Sequence, residues 1–308
     1  MAEGGILKDL IKPPFANYDI VVYFGCGIFF LPFLFHYIGQ DKLKVLSFQF
    51  EIKPDFAAIV VSSLSILFGV YILGHMIAYA GSQFVQRLMD SFFGKTSTVI
   101  VLGSQENGGS NSTFRRQIWA QGAYWWKQSK YVYLFRIALH LPVLIPYLAL
   151  SGFGSFGFYR TRVSDSVMKA AAQKYASAGL PGGPIDADHS WYKALEAYVM
   201  NNYPVATARM YNYLVIFGVF RSLCIIFLFC LWFEAVYLVE LIIGQGSHTG
   251  LFSLGFASPL GQGTSYVILV TLYIFSLFSF LKFQRRYVEE AIFAFVFAES
   301  PMHGARNG

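Results

Sequence analysis

Charge is scarce in this chain, cysteine is scarcer, and no stretch spells out a recognised catalytic motif. Asp, Glu, Lys and Arg make up 13% of 308 residues, against about 25% in an ordinary water-soluble domain. Beside 56% hydrophobic residues, that shortage excludes a solvated globular surface. The three cysteines, Cys26, Cys224 and Cys230, all fall within apolar runs, where they act as small hydrophobes and form no disulfide framework. The histidines never take the H-x-x-x-H spacing and no Cys pair supplies zinc spacing, so no metal site is encoded locally. A G-x-S-x-G elbow is missing as well, which leaves a serine hydrolase without support. Gly94-Lys95-Thr96 ends like a phosphate-binding loop, but Met89 stands where its first glycine belongs. Gly152, Gly154 and Gly157 match G-x-G-x-x-G without the preceding strand and following helix that this fingerprint needs.

What the chain has in abundance is long apolar runs. Residues 17–38, 57–80, 212–243 and 265–283 each satisfy the roughly 18 to 20 residues that a membrane crossing requires. The expected fold is an all-α integral membrane protein with four transmembrane helices, and interfacial and cytoplasmic helices in its middle region. If residues 131–159 also cross, the count is five. Three parts follow: an N-terminal helical hairpin (1–82), a middle region (83–211), and a C-terminal hairpin with a tail (212–308). The first 17 residues lack the apolar core and small-residue cleavage site of a signal peptide, so none is expected to be removed. With four crossings, nineteen Lys and Arg share the side of the termini and the middle region, and only Lys42, Lys44 and Lys53 face the other. The positive-inside rule then places both termini in the cytoplasm, beneath a bacterial inner membrane. The net charge of +6 is accounted for by this asymmetry, and no nucleic-acid partner is expected.

The segment 131–159 carries Arg136, His140, Pro142 and Pro146. Prolines remove backbone donors, which hydrocarbon tolerates only where protein or water re-satisfies the freed carbonyls, so this segment reads as one that dips into the inner leaflet. Before it, Trp119, Tyr124, Trp125 and Trp126 alternate with Arg115, Arg116, Lys127 and Lys130, as expected of a helix at headgroup level. Residues 104–113 form a polar linker, and the sequon at Asn111 falls on the cytoplasmic side in this topology. Two short helices are expected, at 164–177 closed by Gly179 and at 190–201 capped by Asp186 or Asp188. They are too small for a core of their own and should pack beneath the membrane domain.

Ionisable residues inside membrane spans are the default functional candidates. Glu234 is the deepest charge, with Arg221 nearer one end of the same span. The second span brings His75, Ser82 and Arg87 to the leaflet of Arg221, and the last span ends there with Glu289 and Glu290. Two readings stand open: a pocket for an anionic headgroup built by His75, Arg221 and Glu289 or Glu290, or snorkelling side chains and interhelical salt bridges. Gly74, Ala78 and Ser82 form one row of small residues, and Gly218 with Ser222 a second, which predicts a close approach of the second and third spans.

Gly74-His75-Met76 through Gln86-Arg87 with Phe93-Gly94-Lys95, and Tyr211 through Phe220-Arg221-Ser222, resemble uncharacterised bacterial polytopic inner-membrane proteins. The resemblance covers a small part of the chain and implies that His75, Ser82, Arg87, Gly218 and Arg221 act together, with no activity attached. Gln86 stands where that pattern has an acidic residue. Topology and intramembrane charge together lead to an expected channel, pore-forming or transport-related role in an oligomer, with Glu234, Arg221 and His75 as its polar residues. The alternatives are a non-enzymatic structural subunit of a larger membrane complex, and a lipid-directed enzyme at the inner leaflet. No cofactor is expected; the expected partners are membrane lipids, retained as bound lipid, and further copies or other membrane subunits.

Overall fold

The computed structural model describes residues 18–38, 56–102, 130–144, 163–181, 190–244, 251–252 and 259–298. The expectations for the 39–55 connection, the 104–113 linker, Asn111, the Trp119 to Trp126 stretch, Pro146, the 151–157 glycines, Asp186, Asp188 and the tail beyond 298 lie outside the described residues. Within them every regular element is helical. A π-helical segment, Asp19–Gly25, leads into α1 (Cys26–Ile38), and α2 (Phe56–Ala80) passes through a second, Gly81–Gln86, into α3 (Arg87–Phe93). Then come α4 (Thr96–Leu102), α5 (Lys130–Leu139), α6 (Asp165–Ser177), α7 (Ser190–Asn202), α8 (Pro204–Ile243) and α9 (Pro259–Phe297).

Four helices are long and apolar enough to cross a membrane: Asp19–Ile38, Ile59–Ile100, Pro204–Ile243 and Leu260–Phe297. They coincide with the four apolar runs, but the last three extend beyond those runs. At 1.5 Å per residue α8 and α9 each extend for about 60 Å, twice the roughly 30 Å of a hydrocarbon layer. Pro204 opens α8 at a position where its missing N–H costs nothing, and Gly244, at φ 79°, closes it in the left-handed conformation a C-cap uses. The two helices pair along their length through rings such as Phe220 on Phe283 and Phe217 on Phe280.

Their excess length is used at the end where α8 begins and α9 finishes. There α6 packs on α9, and α7 packs on both. Trp191, Leu195 and Val199 of α7 and Ala171 and Tyr175 of α6 are buried in one core with Met210 and Phe295. The two short helices therefore fold where the sequence places them, Ser164 preceding α6 and Gly179 following it at φ 61°, and they take their core from α8 and α9.

The approach predicted between the second and third spans forms at Gly81 and Gln86, which meet Arg221 of α8, and the glycines on either side of it admit α1 as well. Gly74 lies against the Tyr23 backbone and Gly27 against the Val70 backbone, so a Cβ at either position would collide with main chain. Gly218 meets Tyr18 and Val22, while Gly81 faces Arg221. The π-helical lead-in of α1 is thus wedged between α2 and α8, and the glycine rows serve α1 first. Beyond this contact α2 stands apart, since residues 59–69 are exposed on every side.

Residues 130–144 run beside the α8–α9 pair. Phe135 meets Phe84 edge-on at 5.7 Å, close to the level where Arg221 binds Gln86. Farther along, Trp232 Nε1 donates to the Leu139 carbonyl at 2.7 Å, and the Tyr266 hydroxyl donates to the Pro142 carbonyl. Trp232 lies eleven residues beyond Arg221 on α8, or about 16 Å along the axis. By Val163, whose N–H donates to Ile100 at 3.2 Å, the chain is back at α4.

The glycine contacts generate a test with an internal control. Gly74→Ala and Gly27→Ala should each destabilise the protein by about 1–3 kcal/mol, as overpacking does. Gly69→Ala, whose Cβ meets open space, should leave thermal unfolding in detergent unchanged or raise it slightly through helix propensity.

Candidate functional site

Glu234 is fully buried, and its carboxylate receives donors from three separate parts of the chain. The Tyr37 hydroxyl donates to Oε1 at 2.7 Å, the Leu251 N–H donates to the same oxygen at 2.8 Å, and Gln262 Nε2 donates to Oε2. Phe252 N–H is held by Ser265 Oγ at 2.8 Å. Tyr37 is the penultimate residue of α1 and Gln262 sits in the first turn of α9, so the node lies at the end of the bundle where α1 stops and α9 starts. The deepest charge of the sequence is therefore covered by the connection that follows α8. A charge at the centre of a membrane helix costs about 2.5–3.5 kcal/mol to insert. Three hydrogen bonds to a charged acceptor, at about 1.5–3 kcal/mol each, outweigh that cost without a Lys or Arg partner among the described residues.

A line of polar groups runs from this node along the segment beside α8 and α9. Gln262, Tyr266 and Tyr273, at spacings of four and seven, share one face of α9. Tyr266 reaches Pro142, and the Tyr273 ring meets His140 edge-on at 6.2 Å. His140 and Arg136 are each only 4% exposed. The His140 Nδ1–H donates to the Arg136 carbonyl at 2.8 Å, leaving Nε2 as an acceptor that meets no hydrogen-bond partner among the described residues. The irregular backbone has a physical cause. Val143 N–H turns to the His140 carbonyl in a tighter turn, so the Leu139 carbonyl is freed for Trp232. The Pro142 carbonyl accepts from the Tyr266 hydroxyl. Sequence reasoning had not marked His140 or the α9 tyrosines as functional. The available signal was the Arg136, His140 spacing of four beside a face of Gln262, Tyr266 and Tyr273.

At the opposite end the expected pocket of His75, Arg221 and Glu289 or Glu290 does not assemble. Arg221 Nη1 donates to Gln86 Oε1 at 2.6 Å. His75 stacks on Tyr23 with centroids 3.6 Å apart and meets Tyr71 edge-on; Tyr23 in turn lies within electrostatic reach of Arg221. Ser82 lies in the second π-helical segment, and Arg87, with Lys95, flanks Asp90. Glu289 is taken by Arg285 at 2.7 Å and Arg286 at 3.3 Å, and Glu290 by Arg209 at 3.1 Å. The carboxylates of α9 thus pair with arginines of α9 and α8. A cavity of about 220 Å³ lies between Gln86, Asp90, Lys95, Thr96, Tyr192, Phe217 and Gln284. Burial, together with nearby Glu196 and Tyr287, pushes the Tyr192 phenol well above its ordinary range, so it remains a neutral hydroxyl. No group of three metal-ligating side chains occurs among the described residues.

The node predicts a graded series. Tyr37→Phe removes one donor and should cost about 1–2 kcal/mol. Glu234→Gln should cost more, because its amide turns a donor toward donors; thermal unfolding in detergent measures both. No protein-family model, curated protein or solved structure matches the chain, so a role for it rests on this geometry.

Proposed function

We propose that the protein has a transport-related role in a bacterial inner membrane, acting as an oligomer, with His140 and Glu234 as the side chains that gain and lose protons and with the Arg136 carbonyl and the Gln262 amide holding them in place. One observation carries this reading. Two almost wholly buried basic side chains sit on a segment that runs beside α8 and α9, in register with the face that leads to a buried carboxylate. Ionisable groups at membrane depth are costly and mark ion pathways or proton relays. A neutral imidazole that donates through one nitrogen and can accept through the other is suited to relay. Arg221 and His75 belong, in this reading, to the other end of the bundle. The excess of basic residues in the middle region and termini supports a cytoplasmic location for both.

A second reading, a structural subunit of a membrane complex, is favoured by α2. Its residues 59–69 are exposed all round and include Ser62, Ser63, Ser65 and Gly69, small residues of the kind found where membrane helices meet.

Reconstitution into liposomes with a trapped pH dye separates the two. Under a potassium diffusion potential the wild-type protein should dissipate a proton gradient, and His140→Ala should slow this by about a hundredfold, as loss of a proton-transfer group does. Absence of wild-type flux from correctly folded protein, or unchanged flux in His140→Ala, would leave the structural reading.

A further inference from the structure

We infer that α9 carries a binding groove for one anionic membrane phospholipid. The groove has a volume of about 650 Å³ and, among the described residues, is lined by Phe275, Phe278, Ser279, Lys282, Arg285, Arg286 and Glu289. These positions recur every three or four residues, so they form one stripe along the helix. The stripe changes character along its length. Phe275, 62% exposed, and Phe278 offer rings at the end nearer the middle of the span. Ser279 follows, and then three cations in succession. Glu289 engages Arg285 and Arg286, which leaves an excess of two positive charges. Arg286 is 57% exposed at its side chain and Lys282 is exposed as well, so both can turn to a ligand without leaving a core.

That gradient fits a glycerophospholipid better than a free anion. From Phe275 to Arg286 the helix rises about 16 Å, enough to seat a phosphodiester among the cations and the first part of an acyl chain on the rings. Guanidinium and ammonium groups at the membrane surface are the ordinary recognition chemistry for an anionic headgroup. The site is independent of the proton line, since none of its residues belongs to it. It also relocates the expected headgroup pocket, which uses Lys282 and Arg286 in place of His75 and Arg221.

The test is native mass spectrometry of the full chain in detergent, titrated with phosphatidylglycerol, phosphatidylcholine and inorganic phosphate. Phosphatidylglycerol should be retained preferentially over phosphatidylcholine. Lys282→Gln and Arg286→Gln should each weaken its retention by about fivefold, and Phe275→Ala should weaken both lipids. Arg209→Gln, an exposed cation outside the groove, should leave retention unchanged, and the exposed positions of Lys282 and Arg286 keep the fold intact. Equal retention of the two lipids, or an Arg209→Gln effect as large as that of Lys282→Gln, would overturn the proposal. So would phosphate binding that equals lipid binding and ignores Phe275→Ala, which would assign the cations to a free anion.

Discussion

The structure depends on how one buried carboxylate is satisfied. Glu234 sits in an apolar bundle without a cation partner among the described residues, so neutral donors must compensate it, and they come from α1, from the chain after α8 and from α9. Each donor belongs to a different part of the sequence, so a single group fixes the relative height of three elements against α8. Tyr37 adds packing to its hydrogen bond, stacking on Phe233 with centroids 5.0 Å apart. The long helices α8 and α9 could otherwise slide along their aromatic contacts, since rings such as Phe220 and Phe283 tolerate several offsets. A buried polar network with every member satisfied removes that freedom.

The same rule governs the segment beside the pair. Away from water, carbonyls released by a broken helix need new donors, and Trp232 and Tyr266 supply them to Leu139 and Pro142. Both donors project from α8 and α9 near the Glu234 node, so the node that sets the register of the pair also sets where the irregular segment can dock. His140 and Arg136 reach their buried positions as a result, and the polar line follows from backbone satisfaction.

Much of this was legible in the sequence, and what was not has identifiable reasons. The four helices long and apolar enough to cross a membrane were visible because apolar runs of sufficient length have few other uses. The end of α8 at Ile243 was visible too, but its start at Pro204 and the end of α9 at Phe297 were not, because Arg209, Arg285 and Glu289 lower hydropathy without breaking a helix. Glu234 was visible as a charge in an apolar run, but its partners were not, since Tyr37 lies 197 residues away and no local pattern links the two. The glycine rows correctly announced a close helix approach. They could not say which helix would fill it, because Gly74 and Gly218 both receive the π-helical segment Asp19–Gly25, whose widened turn has no simple periodic signature. Within the expected group of His75, Arg221 and Glu289, the carboxylate pairs with Arg285 and Arg286, which lie about one turn away on its own helix.

Amide hydrogen exchange at Leu251 and Phe252 in nanodiscs tests the central role of Glu234 most directly. These two N–H groups donate to Glu234 and Ser265, and they should exchange slowly in the wild-type protein and rapidly when Glu234 is replaced by alanine. Rapid exchange in the wild-type protein, at the rate of an open connection, would contradict a carboxylate that holds α1, α8, α9 and their connection in one register.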